Sequence, residues 1–448
     1  MEKTLLQRLE TDMDSELIKL VGLFKKNKAP VFNAFMKDHF KIAKSKPEAF
    51  VNHPPVLAIS LGGTNLKLMI AGMDNGSMMV EYVRAMQIPS SPVDFYEFFD
   101  DILIRDEYIR NYLSSNENTC VGFSFPMAIL DGIPYHPTKV PNLNGVIVRD
   151  LKDLSQDYNF KKKFDIYMKD HGFHPAKLFY QSDGIIAHHG AVALCDTELD
   201  AGTALIICGT GMATGDEENY IQMGIARMLD YDEELYPAAE TEDCQYHYAL
   251  AGKGLFGLMR RCILIKSREP GSQLAGHDTS EFFVDAQGSK TTVQIWESSL
   301  PGEKPEEAAK EIHDRVGTDA YAEMQEIAGK IVERCIGSIA NSVIATIVKM
   351  GPALNGKGHL VFFEGSIVAN KHILPRVKEE ILHRIGQAGL YGRMGVPRPF
   401  VPDMERTMKP LKACKGLPES VLSDVDITLV GTASSVMAEM CIRQCTKH

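Results

Sequence analysis

Three places in this chain put small residues and polar side chains where chemistry could be done. Val56 to Gly72 reads as a strand, a Gly62-Gly63 turn and a returning strand, with Thr64 and Asn65 at the bend. Thr203 to Gly215 repeats the plan around Gly209-Thr210-Gly211. Glycine lets such a tip turn at φ values other residues avoid and brings bare N–H groups close to whatever sits there. Converging N–H and hydroxyl donors suit an anion, above all a phosphate. One Gly-Gly hairpin is only a turn, and the second tip is what points to a ligand. The third place is Asp183, which follows the short strand ending at Gln181 and opens a helix with Ser182. An acid there is ordinarily a cap, stabilised as its anion. At the mouth of a cleft the same carboxylate would accept a proton from a substrate hydroxyl.

Further stretches fit around these. Cys120 to Phe125 is a buried strand ending in Ser124-Phe125-Pro126, and Leu130 to Gly145 is a shaped loop of Pro, Asn and Gly around Thr138-Lys139. Polar loops on rigid scaffolds are where binding residues collect. Gly358 to Asn370 reads as a buried strand, the turn Glu364-Gly365-Ser366 and a helix. Asp426 to Val430 reads as a last strand running into Gly431-Thr432, with a closing helix from Ala433 to Arg443. His188 and His189 are read as helix-face residues, since no partner lies at metal-ligand spacing, and no metal ligand is assigned.

The elements behind these residues follow from periodicity. Leu17, Ile18, Val21 and Phe24, then Phe32 to Phe40, make residues 1–54 a helical lead-in packed on a larger body. Its apolar face is narrow and mixed with acids, which argues against a membrane anchor. Val93 to Leu113 reads as one helix and Ala249 to Ile265 as another. In Asp319 to Met350 the apolar positions Ile327, Ile331, Cys335, Ile339, Val343 and Ile347 and their neighbours keep strict helical spacing, which is core packing.

At 448 residues the chain exceeds what one core usually serves. The 48 basic and 59 acidic residues argue against a nucleic-acid surface. The nine cysteines are scattered without zinc spacing, so they read as reduced thiols in a cytoplasmic protein. The charged start is unlike a signal peptide, and no apolar run approaches the ~20 residues of a membrane span.

Taken in order, these motifs resemble those of the hexokinase family of sugar kinases, from Val56 to the C-terminus. The resemblance implies an α/β protein with the two-domain actin-like ATPase (ribonuclease H-like) fold and a nucleotide and sugar cleft between domains. It implies a small domain of residues 55–190, closed by a helix of 433–448, and a large domain of 191–432. The implied ATP-binding set is Gly62, Gly63, Thr64, Asn65, Lys67, Gly209, Thr210, Gly211, Ser366, Gly431 and Thr432. The implied sugar-binding set is Ser124, Phe125, Thr138, Lys139, Ser182 and Asp183, and the implied catalytic residues are Asp183, as the base, and Lys139. ATP with Mg²⁺ would be the cofactor and a hexose of the glucose type the substrate, phosphorylated at its 6-position as in the first step of glycolysis. The protein would be a monomer or homodimer without nucleic-acid or membrane partners. Ala249 to Arg261 looks closer to the bacterial glucokinase branch.

The chain also departs from the family. Where the family writes an Asp that helps hold the Mg²⁺ waters, this chain has Ser60, and Ser182 stands where the family has Asn. Of the two glutamates that grip sugar hydroxyls, one falls at Gly257 and the other in Ile221 to Asp230, with Glu240 or Glu242 as replacements. These substitutions support the alternative of a weakly active or non-catalytic homologue that responds to sugar or nucleotide.

Overall fold

The computed structural model describes residues 4–9, 12–25, 31–33, 36–61, 65–87, 93–115, 119–125, 128–130, 133–135, 160–174, 176–195, 202–209, 211–217, 219–222, 235, 252–277, 288–352, 358–405 and 408–445. The chain divides into two compact units, Met1–Val31 with Ala201–Met404, and Phe32–Asp200 with Glu405–His448. The lead-in is therefore split. Helix Met13–Lys25 belongs to the first unit, where Glu16 accepts hydrogen bonds from Ser338 Oγ at 3.0 Å and Asn341 Nδ2 at 3.2 Å. Helix Lys37–Ser45 belongs to the second, where the His39 carbonyl accepts from His189 Nε2 at 3.1 Å. Residues 405–432 likewise fall with the C-terminal helix rather than with the large domain expected for them.

The second unit is built on a six-stranded sheet in the order Lys412–Ala413, Ser77–Gln87, Asn65–Asp74, His53–Leu61, Cys120–Phe125, Lys177–Ser182. The Ser77, Asn65 and His53 strands form an antiparallel meander, and His53–Leu61, Cys120–Phe125 and Lys177–Ser182 run parallel. Side chains alternate across a strand, so one sheet has two faces. On one face Leu57, Ile59, Leu61, Phe123 and Phe125 pack with Phe95, Phe98, Phe99, Phe160, Phe164 and Tyr167 into an aromatic core. The helix expected over Val93 to Leu113 is broken there. Phe95–Phe99 passes into a π-helical turn at Asp100–Ile104, and Asp106 then caps a new helix, Glu107–Ser115, by accepting from Ile109 N.

The other face carries small residues, Ala58 and Ser60 on one strand and Gly122 and Ser124 on the next. The C-terminal helix lies so close that a Cβ on Gly122 would come within 2.5 Å of Val436. This helix runs from Ile427 to Cys445, which overturns the strand expected at Asp426 to Val430. Ile-Thr-Leu-Val has strand propensity, but Asp426 caps the segment as a helix, its Oδ1 accepting from Leu429 N at 2.8 Å. Helix Asp183–Leu194 crosses it at paired glycines. A Cβ on Gly431 would lie 1.9 Å from the Ile186 carbonyl oxygen, and one on Gly190 2.7 Å from Gly431 N.

The first unit holds a sheet with strands in the order Asn219–Gln222, Met212–Asp216, Thr203–Cys208, Leu360–Glu364. Thr203–Cys208 and Met212–Asp216 form the expected hairpin, and Leu360–Glu364 joins it in parallel. Helix Thr318–Met350 runs through the core with Ile327, Ile331, Cys335, Ile339 and Val343 buried. Contrary to the reading of the sequence, an 18-residue window of it is apolar enough to cross a membrane, interrupted only by Glu333 and Arg334. Since 89% of that window is buried, the unit's own core accounts for its composition. The polar stretch before it supplies helices Gly288–Glu297 and Glu307–Val316.

Candidate active site

The parallel strands of the second unit bring one candidate group together. Register aligns Ser60 with Ser124 and Ser124 with Gln181, so these residues stand in a row near the carboxyl ends of three neighbouring strands. In sheets of this kind ligands bind beyond those ends. Asp183 is two residues past Gln181, the first residue of helix Asp183–Leu194 with Ser182 as its N-cap. The cap is made by Asp183 rather than Ser182. Asp183 Oδ1 accepts from Gly184 N at 2.7 Å and lies 3.5 Å from the Ser182 hydroxyl, whose side chain caps no helical N–H. Both contacts fall on Oδ1, so among the described residues Oδ2 has no partner.

Burial pushes the Asp183 carboxyl up to about 6, the Asp426 carboxylate adds to the rise, and the two hydrogen bonds only partly offset it. A carboxylate of that strength is ionised at neutral pH yet roughly a hundredfold more basic than an ordinary Asp. It is a group suited to taking a proton from a hydroxyl.

Ser124 is fully buried, and its hydroxyl has no hydrogen-bond partner among the described residues. Buried polar groups are nearly always paired, so an orphan at a strand end marks a place a ligand hydroxyl would complete. Ser60 is 4% exposed and pairs in register with Lys67. Phe125 is a correction. Alternation turns it to the opposite face, where its ring packs against Phe160 at 5.2 Å and Tyr180 at 6.1 Å, so it serves the core and not a substrate.

Lys67 does not present a free ammonium. Its Nζ lies 2.9 Å from Asp426 Oδ2, with both side chains partly exposed to water. Asp426 is the residue the sequence reading missed. Its signal is an Asp three residues before Leu429, the spacing of a helix cap, and reading the segment as a strand hid it. Gly431 and Thr432 are the second correction. They lie in the second turn of the C-terminal helix, Gly431 against the Ile186 backbone and Thr432 buried with its hydroxyl donating to Thr428 O at 2.8 Å. The nucleotide turn expected there is replaced by a helix crossing. His188 and His189 are buried. His189 has Ser434 Oγ 2.9 Å from Nδ1, and burial first, then the charge of His39, push its pKa down to about 3.

The first unit forms the other candidate group. Gly209 N donates to Gly211 O at 2.9 Å and closes the tip between Thr203–Cys208 and Met212–Asp216. Gly365 has φ +105°, and a Cβ on it would lie 2.5 Å from the Cys208 carbonyl oxygen, so glycine is required for the approach. That approach lets Cys208 O accept from Ile367 N and Val368 N and sets Ser366 over the tip. The place a Gly209 Cβ would fill is faced by Ser366 N at 3.5 Å and Ser366 Oγ at 3.7 Å. A niche lined by an N–H and a hydroxyl, on an exposed serine, fits a phosphate. Gly209, Gly211 and Ser366 are thus brought together as the sequence suggests, and Asn65 opens its strand as an exposed residue.

Gly62, Gly63, Thr64, Thr138, Lys139 and Thr210 lie outside the described residues, as do Glu240 and Glu242. Gly257 lies on helix Gly252–Lys266 with open space where a Cβ would point. Among the described residues no group of three or more His, Cys, Asp and Glu side chains could hold a metal ion. Magnesium takes most of its ligands from phosphate and water, so the lack of such a group among the described residues is compatible with a magnesium ion carried by a phosphate ligand.

No family model matches the chain, and no curated protein sequence does. Solved structures do. A hexokinase crystal structure aligns with TM-score 0.63 at 15% identity, over 97% of this chain and 98% of that one. Hexokinase from Schistosoma mansoni, solved in complex with glucose, aligns with TM-score 0.57 at 13% identity, over 98% of this chain and 97% of that one. Both alignments run almost the full length of both chains. At this identity they speak for the fold alone, and the chain has the α/β actin-like ATPase fold of the hexokinases.

Proposed function

We propose that the chain is an ATP-dependent sugar kinase that phosphorylates the primary hydroxyl of a hexose of the glucose type, in the cytoplasm and at the entry to glycolysis. The observation that carries this reading is Asp183. It stands at the carboxyl ends of three parallel strands, with a desolvated carboxylate and, among the described residues, no partner on Oδ2 or on the Ser124 hydroxyl in the neighbouring row. Phosphoryl transfer asks a protein for positioning and charge neutralisation more than for covalent help. Ser124 orients the sugar and Ser182 braces the base, while Asp183 Oδ2 takes the hydroxyl proton as the oxygen attacks phosphorus. The Gly209–Gly211 tip and Ser366 hold polyphosphate oxygens of ATP. Mg²⁺ bound with the nucleotide supplies neutralisation of its phosphate charge. Thr138 and Lys139 are proposed as further sugar contacts.

The test is ADP release measured with ATP–Mg²⁺ against glucose, mannose, fructose, N-acetylglucosamine and no sugar, in wild type and in Asp183→Ala. Sugar-dependent release with a phosphorylated product is expected for wild type. General-base help is worth roughly 10²–10⁴ in rate, and Asp183→Ala should lose that much of kcat while still binding nucleotide. Normal turnover by the variant sinks the assignment of the base.

A second reading is a sugar- or nucleotide-responsive binding protein without turnover. It is favoured by the Lys67 ammonium being held by Asp426 and by a hydroxyl at Ser60 where the resemblance leads one to expect a carboxylate. Ser60→Asp separates the two, since it should raise the rate of a weak kinase and leave a binding protein silent.

A further inference from the structure

Gln181 stands in the row of Ser60 and Ser124, and the motif pattern gives it no role. Register pairs it with Ser124 on the neighbouring parallel strand, so both side chains leave the same face of the sheet. It is 6% exposed, far more buried than glutamines usually are. Its Oε1 accepts from Ser182 N at 2.8 Å. A backbone N–H can only donate, so this bond settles which end of the amide is oxygen. Ser182 follows Gln181 in the chain, so the bond draws the amide toward the carboxyl end of the strand, where Asp183 begins its helix. The Nε2 end, which carries two N–H donors, has no partner among the described residues.

We propose that Gln181 is a specificity-determining sugar contact, its Nε2 donating to the same sugar hydroxyl that donates to Ser124 Oγ. This rests on the reading of the strand ends as the sugar site and adds what selects the sugar there.

The chemistry of the pair supports one shared hydroxyl. Ser124 is buried and, among the described residues, its hydroxyl has no partner. An amide nitrogen can only donate, whereas a serine hydroxyl donates or accepts. A sugar hydroxyl satisfies both at once, accepting from Nε2 and donating to Oγ. Neighbouring strands lie about 4.8 Å apart, a gap that one oxygen spans with two hydrogen bonds of about 2.8 Å. Ser182 is engaged elsewhere, its hydroxyl lying 3.5 Å from Asp183 Oδ1. A sugar without a hydroxyl at this place would leave two buried polar groups unpaired. That penalty, more than the net strength of the bonds, is what discriminates between sugars.

The experiment measures binding of glucose and of 2-deoxy-, 3-deoxy- and 4-deoxyglucose by calorimetry in wild type, Gln181→Met and Ser124→Ala. Sugar-dependent ADP release is recorded beside it. Gln181→Met is expected to weaken glucose binding about tenfold, the worth of one neutral hydrogen bond. One deoxyglucose should bind wild type poorly and Gln181→Met no worse, and Ser124→Ala should single out the same one. A glutamine that only braces the turn before Asp183 would instead lower kcat by one factor for every sugar, and that result overturns the proposal. Unchanged glucose binding overturns it too, as does a loss at a different sugar position from that of Ser124→Ala. Gln181→Glu keeps an oxygen for Ser182 N and removes only the donor. It decides, with the same loss expected, should Gln181→Met not fold. Glucose binding without ADP release in wild type would end the kinase reading, while the deoxyglucose series would still decide the contact. Wild-type protein that binds no glucose overturns the contact as well.

Discussion

The two faces of the six-stranded sheet in the second unit are made from the same strands and do different work. On one, Phe95, Phe98, Phe99, Phe123, Phe125, Phe160 and Phe164 interlock, several as edge-to-face pairs between 5 and 6 Å apart. On the other, glycine, alanine and serine let a helix lie directly on the sheet and leave polar atoms near the strand ends, among them Ser124 Oγ, which has no partner among the described residues. Large rings fill space and supply stability. Small residues admit backbone, hydroxyls and a desolvated carboxylate, which is what a site for chemistry needs. One residue step along Cys120–Phe125, from Ser124 to Phe125, crosses from the one kind of surface to the other.

The sharpest way to break the small face is at its glycine crossing. A methyl on Gly431 would sit 1.9 Å from the Ile186 carbonyl oxygen, and backbone cannot yield there as a flexible side chain would. Gly431→Ala should force helices Asp183–Leu194 and Ile427–Cys445 apart and cost more than about 4 kcal/mol, at the extreme of what single substitutions do. Urea unfolding would read this directly. A variant as stable as wild type would show that the crossing is not what holds this face. Gly257→Ala, on a helix position with open space, is the control and should be neutral or slightly stabilising.

The aromatic face should break differently. Phe99 contacts Phe95 at 4.5 Å, Phe98 at 5.1 Å and Phe164 at 5.3 Å and is almost wholly buried. Phe99→Ala should cost about 3–5 kcal/mol, from lost burial plus the cavity it leaves. Sugar KM and kcat per folded molecule should stay close to wild type, because the face carries no group of the site. A selective loss of kcat without a loss of stability would mean the two faces are not separate in function.

Much of this division was legible in the sequence, and the exceptions have physical causes. The hairpin Thr203–Cys208 with Met212–Asp216 and the long helix were plain because their apolar periods are unbroken. The turn at Gly365 was plain because a backbone approach of this kind admits only glycine. Phe125 departs from the motif's expected role because strand alternation forbids Ser124 and Phe125 from facing the same ligand. Ile427 to Val430 was misread because β-branched propensity competes with a cap. Asp426 decides that contest through a hydrogen bond visible only when Leu429 is seen to be helical. The ion pair of Lys67 and Asp426 joins residues far apart in sequence, so only the fold reveals it.

The smallest expected change tests the comparison most finely. Ser124→Ala removes a hydroxyl that is fully buried and unpaired among the described residues. A buried hydroxyl without a partner carries a desolvation cost, so removing it should leave unfolding unchanged or stabilise the protein by up to about 1 kcal/mol. If the hydroxyl completes its bonding with a sugar, the same variant should raise the sugar KM about tenfold, the equivalent of one neutral hydrogen bond. ATP binding should be unaffected, since Gly209 and Ser366 belong to the other unit. Stability and recognition would then move in opposite directions at one atom, as expected for a group kept for a ligand rather than for the fold. A Ser124→Ala protein that loses stability and keeps its sugar KM would place the hydroxyl in the packing of the C-terminal helix and leave Asp183 without its neighbour in the row.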